Sequence, residues 1–268
     1  MEEAFYVDQI VVCNNESMTT IKNEQWTKIY QFLRQCPSVY AGQEADCRLF
    51  IEGAHWIMRA GVQWRELPEK YGKWNSVYKR FARWSDKDIW EKMHHYFADD
   101  PDMENLILGS AIIRAHPCAA GALKESGGQA KQVLGRSRGG FSAKVYVNVD
   151  ALGNPLRFIL TGGQRHDCTQ AEALIDGYEY ERLLADKSYD TDDILQLVAE
   201  QEAKAVIPPR ANRLEQRDYD EHWYKERHLV ECFINKIKHY RRIFSRFEKL
   251  AKRYLAFLSF AGTLIWLR

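Results

Sequence analysis

The stretch SAKVYVNVDALGNPLRFILT, Ser142 to Thr161, decides the fold class of this 268-residue chain. Stretches rich in β-branched and aromatic residues flank Asp150-Ala-Leu-Gly-Asn, a segment rich in turn formers. Ser142–Val149 and Pro155–Thr161 therefore read as the two strands of a hairpin. Upstream, LILGSAIIR (Leu106–Arg114) is a short apolar run of the kind a buried strand makes. Downstream come a short helix, Ala171–Gly177, and a strand, Glu181–Asp186. A helix over Thr191–Glu202 turns Ile194, Leu195 and Val198 inward, and a strand, Lys204–Ile207, is stopped by Pro208-Pro209. A polar loop leads into a long helix from about Tyr224 to Tyr240, and a last helix runs through Tyr254 to Leu267.

Three strands, a helix, a strand, a helix and a strand make the element order of an RNase H-like α/β domain, here over residues 105–268. Ahead of it apolar residues recur at helical spacing: Trp26, Ile29, Tyr30 and Leu33, then Leu49, Phe50, Ile57 and Met58. After a loop containing Pro68 and Gly72 come Val77, Tyr78, Phe81 and Trp84, then Ile89, Trp90, Met93 and Phe97. These compose an all-helical module over residues 18–98. Such modules often dock a helix in a DNA groove, and the same pattern describes many bundles that bind nothing. Residues 1–17 show neither period and read as an irregular leader.

Hydrophobic residues make up 46% of the chain and charged ones 28%, the balance of a globular protein large enough to form a core without disulfide or metal staples. No apolar run reaches the ~18 residues of a membrane span. Glu2, Glu3 and Asp8 open the chain without a basic segment, so no signal peptide is expected. Six cysteines without a CxxC pair fit reduced thiols better than a disulfide framework or a zinc site. A cytoplasmic protein without a membrane partner is expected. The net charge of +1 conceals an asymmetry: Asp86–Glu104 holds seven acids against two bases, Arg114–Lys144 six bases against one acid, and Lys225–Arg253 ten bases against three acids. A polyanion partner for the middle and C-terminal parts accounts for this; so do solvated helix faces.

The chemistry concentrates in YKERHLVECFINKIK, Tyr224–Lys238. Tyr224, Arg227, Glu231 and Lys238 fall on one stripe of a helix, with Asn235 between them. A phenol, a guanidinium, a carboxylate and an ammonium in one stripe suit a phosphate backbone lying across a metal-binding carboxylate. An exposed helix laced with ion pairs would carry the same residue types. A second acid, Asp186, ends the strand Leu183-Leu184-Ala185, where open α/β sheets place their ligands. Capping the following helix is its plainer role, although Asp190, Thr191 and Asp192 are better placed for that.

Tyr224-x2-Arg227-x3-Glu231-x6-Lys238 matches the YREK signature, and the chain resembles bacterial insertion-sequence transposases of the DDE type, in their family-five branch, over about residues 18–268. Supporting stretches, in the right order, are GVQWRELPEKYGKWNSVYKRFARW, RAHPCAAGA, GRSRGGFSAKVYV, LTGGQRHD, LADKSYD and RHLVECFINKIKHYRRIFSRFEKLA. The resemblance implies an RNase H-like catalytic core behind a helical DNA-recognition region. It also implies metal-dependent cleavage and strand transfer of phosphodiester bonds at the ends of an element. Three carboxylates would hold two Mg²⁺ (or Mn²⁺) ions ~3.5–4 Å apart, and catalysis would be mostly positioning and charge neutralisation. Asp186 matches the second carboxylate and Glu231 the third, both as metal ligands. Tyr224, Arg227 and Lys238, with Arg241 and Arg242 beyond them, would hold DNA. Lys79, Arg80 and Arg83 would face DNA from the module, opposite Val77, Tyr78, Phe81 and Trp84. The partners implied are double-stranded DNA, as element ends and target, and a second copy of the chain, since an element has two ends; the location is the bacterial nucleoid.

The first carboxylate is where the match breaks. The family pattern has an aspartate followed by Ser-Thr before the Arg-Ala-His motif, whereas this chain has Leu108-Gly109-Ser110-Ala111 before Arg114-Ala115-His116. Gly109 offers no side-chain oxygen. Glu104, five residues back on a strand rising ~3.3 Å per residue, would lie ~16 Å away. Ser188 stands where the family usually has glycine. The expectation is a transposase whose catalysis is impaired, with weakened metal binding and some activity regained in Gly109→Asp. The alternative is a transposase-derived DNA-binding protein, a repressor or competitor at element ends.

Overall fold

A computed structural model describes residues 21–122, 128, 131–137, 140–214 and 216–268. The leader at 1–17 and parts of the loop near residues 123–139 lie outside the described residues. Among the described residues the first long elements are helices: α1 (Asn23–Gln35), α2 (Glu44–Ala60), α3 (Trp74–Asp86) and α4 (Ile89–Phe97). Each exists because its apolar residues return at helical spacing, as with the buried Trp26, Ile29, Phe32 and Leu33 of α1. α2 stops at Gly61, whose φ of 69° is a left-handed helix end that glycine adopts without strain.

The sheet follows in the expected order. β1 (Asn105–Ala115), β3 (Gly140–Val149) and β4 (Pro155–Gly162) are its antiparallel part, with β2 (Gly135–Ser137) continuing the outer edge of β3. The turn after β3 is closed by Asp150, whose carboxylate accepts the Leu152 and Asn154 N–H groups. After α5 (Ala171–Ile175), β5 (Arg182–Leu184) lies parallel to β1; after α6 (Asp192–Glu200), β6 (Lys204–Val206) lies parallel to β5. A two-strand pairing of β7 (Ser245–Arg246) with β1 at Arg114 completes seven strands. On that side of β1, β5 pairs only up to Ile107 and β7 joins at Arg114, so the intervening edge opens into a crevice.

Two cores flank the sheet. Even-numbered Leu106, Leu108 and Tyr146 pack with α5 and α6 on one face. Odd-numbered Ile107, Val145, Val147 and Val149 pack on the other against α8 (His228–Lys238). This second core runs on without a break into α1–α4 through α10 (Ala251–Trp266), which is buried almost all round: Phe81 stacks on Phe257 at 4.5 Å and Trp90 meets Phe260 at 4.9 Å. No helix is long and apolar enough to cross a membrane among the described residues.

The helix expected from Tyr224 to Tyr240 is interrupted. α7 (Glu221–Tyr224), capped by Asp220, passes through a 3₁₀ turn at Lys225–Arg227 before α8 begins, and α9 (Arg241–Phe244) follows. Backbone angles stay helical through the turn, and three residues per turn keep Tyr224 and Arg227 on one side.

Candidate active site and nucleic-acid interface

β1 and β5 are in register at Asn105–Arg182, Leu106–Leu183 and Ile107–Leu184. The pairing stops there: Gly109 lies two residues further along β1, and Asp186 two residues beyond the end of β5. Alternation puts both on one face, because Ile107 and Leu184 belong to the core under α8 and the same side recurs two residues later. The glycine at the family's acid position therefore lies on the side of β1 that packs under α8.

That space is filled. A Cβ at Gly109 would lie 2.6 Å from Val230 Cγ2 and 3.0 Å from Cγ1, far inside contact distance, and Val230 is fully buried. Val230 immediately precedes Glu231 on α8, so the helix that carries the third acid has settled onto the strand that lacks the first.

Glu231 points outward and accepts a hydrogen bond from Arg227 Nη2, one turn earlier. Burial works against the Arg227 charge, but the bond to Glu231 and the nearby Tyr224, Glu231 and Asp186 raise its pKa overall. Arg227 thus sits within the field of both acids, with its guanidinium 5.8 Å from the Tyr224 ring centroid. Asp186, two residues beyond β5, caps the short turn Lys187–Tyr189, its Oδ1 accepting the Ser188 N–H at 2.7 Å and the Ser188 hydroxyl. The same hydroxyl lies 3.2 Å from Asp167 Oδ2, and Asp167 Oδ1 is 2.7 Å from Lys144 Nζ. Asp167 belongs to the Arg165-His166-Asp167 stretch, and sequence reasoning missed its place beside Asp186. Its lysine partner neutralises it.

The loop after Asp186 is held by arginines. Asp190, with no exposed side-chain surface, takes Arg213 Nε and the Arg210 N–H, each at 2.7 Å, and Arg217 Nη1 at 3.3 Å. Burial pushes its carboxyl up, but these donors hold it below the usual carboxylate range. Arg210 also donates to the carbonyls of Lys187 and Ser188, at 3.1 and 2.6 Å. Asp186 is therefore fixed from behind by a segment that the sequence pattern shows only as a polar loop.

The bases expected to face DNA divide. Arg241, Lys79 and Arg83 are exposed, and Tyr224, Arg227 and Lys238 are half-buried along α7 and α8. Two placements need correction. Arg242 is buried, 2.6 Å from Glu248 through Nε and bonded to the Val62 carbonyl, so its guanidinium joins α9 to the end of α2 and does not face outward. Arg80 turns inward, donating to the Ala41 carbonyl at 3.2 Å and lying 4.4 Å from the Phe50 ring centroid, because helical phase points it at α2. Tyr78, expected inward, is 38% exposed instead.

Comparison with known proteins agrees with this architecture. Residues 21–94 match a family described as "Putative transposase of IS4/5 family", and residues 113–266 match the "Transposase DDE domain". The chain is 40% identical over 129 residues, 47% of its own length and 99% of the relative's, to the "Putative transposase for insertion sequence element IS6501" of Brucella ovis. It is 34% identical over 109 residues, 41% of its length and 87% of the relative's, to the uncharacterized protein y4sN of Sinorhizobium fredii. Its fold is similar to that of the piggyBac transposase in a synaptic complex with hairpin DNA: TM-score 0.52 at 9% identity, covering 95% of this chain and 72% of that one.

An RNase H-like core carrying acids at a strand end and on the facing helix defines the class. Within it, the chain belongs to the DDE transposases of insertion sequences. Such domains act by phosphoryl transfer and generally use divalent metals, and the residues here do not fit one. Gly109 supplies no oxygen and Val230 fills its place, Ser188 occupies Asp186, and Arg227 occupies Glu231. Among the described residues no group of three or more His, Cys, Asp or Glu side chains is arranged to hold a metal ion. The exposed His116 and Cys118, 3.1 Å apart, have no third ligand among them.

Proposed function

We propose that this chain is an insertion-sequence transposase that binds element ends as duplex DNA and does not cleave them. The observation that carries this reading is Gly109, two residues past the β1–β5 pairing, with the Val230 side chain seated where an aspartate's Cβ would begin. DNA is held by Arg227, Lys238 and Arg241 along α8 and α9, with Tyr224 beside them and Lys79 and Arg83 on α3. Two copies bound at the two ends of one element form the assembly, at the nucleoid. A non-cleaving protein there occupies ends that an active transposase would use, and so acts as a repressor or competitor.

The test is strand nicking of element-end DNA in Mg²⁺ or Mn²⁺, read beside a gel-shift titration of the same DNA. Binding without nicking is the expected result. Nicking by the unaltered chain that disappears in Asp186→Ala would show that the site assembles a metal centre after all.

A further inference from the structure

Lys144 stands on β3, level with Ile112 of β1. Its Nζ lies 2.7 Å from Asp167 Oδ1, and the two side chains are only 12% and 15% exposed. The contact is electrostatic, since Asp167 Oδ1 makes no aligned hydrogen bond. The Tyr146 ring, with its centroid 5.6 Å from Nζ, closes another side of the ammonium. A lysine goes under the surface in this way only where an anion holds it.

The anion is not Asp167 alone. Asp167 Oδ2 lies 3.2 Å from the Ser188 hydroxyl, and the same hydroxyl meets Asp186 Oδ1. A hydroxyl carries one hydrogen, so Ser188 serves only one of the two carboxylates at a time. Asp186 takes that hydrogen together with the Ser188 N–H, which leaves Asp167 facing a hydroxyl oxygen with no hydrogen between them. Tyr189 brings no relief. Its hydroxyl is buried without a hydrogen-bond partner, although it lies in the field of both acids. Lys144 is thus the cation that answers the charge left on this pair. The pair also bears on the basic track of Arg227, Lys238 and Arg241, because Arg227 feels the charge of Asp186.

We infer that Lys144 is a built-in counter-ion for Asp167 and Asp186, so that duplex DNA binds beside them without a divalent cation. This rests on the reading that the chain binds DNA, and adds the condition under which it does so. Two unanswered carboxylates next to the track would repel a phosphate backbone until an outside cation joined them. An ammonium is a compact point charge, and this one is tethered to a strand, so it is present in any buffer. It takes the side of Asp167 that a hard cation would otherwise use.

Two readouts on the full chain test this. Terbium is an oxygen-seeking probe whose emission is excited through nearby tyrosine rings, here Tyr146 and Tyr189. Lys144→Met keeps the side-chain stem, vacates the Nζ position and gains a saturable emission over the unaltered chain, which magnesium competes away. Adding Asp167→Asn abolishes that gain. The second readout is gel-shift affinity for one duplex, in EDTA and in Mg²⁺ at matched ionic strength. The unaltered chain binds alike in the two buffers. Lys144→Met binds about fivefold more weakly in EDTA, the order of one unit charge a few ångströms from a phosphate in water, and recovers in Mg²⁺. Lys144→Met with Asp167→Asn binds as the unaltered chain does in either buffer. A gain of about tenfold for the unaltered chain on adding Mg²⁺, or a folded Lys144→Met that matches its parent in both readouts, overturns the inference. Should Lys144→Met not fold, rescue by Asp167→Asn supports the counter-ion role and absence of rescue overturns it. Failure to bind DNA in either buffer overturns the DNA reading, and the terbium gain then decides the role of Lys144.

Discussion

Replacing Gly109 by aspartate restores the family's acid on paper and should destabilise this protein. The new Cβ would stand 2.6 Å from Val230 Cγ2, and ordinary carbon contacts begin about 1 Å further out. Opening that gap moves α8 or forces Val230 off its rotamer, an overpacking cost of about 1–3 kcal/mol. Placing a carboxyl in this buried spot without a partner adds about 1–3 kcal/mol, against about 0.5 kcal/mol returned by replacing a strand glycine. The expected loss is about 2–5 kcal/mol, a large part of a typical total stability. Val230→Ala alone costs on the order of 2 kcal/mol as a cavity, but in the double variant the cavity accommodates the carboxyl, so the two losses do not add. Urea unfolding followed by circular dichroism measures this as a coupling of about 1–3 kcal/mol. Millimolar Mg²⁺ should then stabilise the double variant and leave the unaltered chain unmoved. A Gly109→Asp protein as stable as its parent, or strictly additive losses, would refute the claim that Val230 occupies the acid's place.

Three further outcomes follow from particular groups. His94 is buried against the Pro155 carbonyl, and burial lowers its pKa from 6.5 to about 4. The unfolded chain therefore takes up its proton first, and stability present above pH 6.5 falls by about 3 kcal/mol as pH drops to 4; a pH series of unfolding midpoints that is equally steep in His94→Gln would assign the slope elsewhere. Arg242→Met should cost about 3–5 kcal/mol by stranding the buried Glu248, and Glu248→Leu in the same chain should recover most of it; a large change in DNA affinity with stability intact would return Arg242 to the DNA surface. Lys238→Ala should weaken binding to unrelated duplexes and lower the salt dependence by about one phosphate contact, ~0.9 in log–log slope; an unchanged slope would remove Lys238 from the track.

Much of this was readable from residue pattern, and the gaps have physical causes. The β-branched and aromatic runs on either side of the Asp150–Asn154 turn located the hairpin, because its strands lie between two cores, and the helical module followed from rings such as Trp26 and Phe81 that must reach a core. The motif singles out Asp186 and Glu231 as the candidate acids, and the departure at position 109 shows as the missing aspartate. What pattern cannot carry is distance between elements. Nothing in the order of residues puts Val230 on Gly109, Ser188 between Asp186 and Asp167, or Glu248 on Arg242. Arg80 and Arg242 were misplaced for one reason: a basic residue in a charged helix is read as solvated, whereas these spend their donors on the carbonyls of Ala41 and Val62. The break at Lys225–Arg227 also escaped, since a 3₁₀ turn between two helical segments leaves the apolar period almost unchanged.

The departures at the site support one another energetically. A carboxylate on the buried face of β1 is costly to the fold unless a cation sits on it, because desolvation disfavours its charge. With glycine at 109, Val230 packs directly on β1 and is fully buried. The two acids that remain are then satisfied by the protein itself, Asp186 by Ser188 and Glu231 by Arg227. To load a metal, the chain would have to give up charge-assisted bonds worth about 1.5–3 kcal/mol each and still lack a bridging oxygen. DNA binding makes no such demand, since Lys238, Arg241, Lys79 and Arg83 lie outside that network. On the proposed function, the two activities of the family separate at one strand position, where the packing of Val230 on Gly109 leaves no room for an acid.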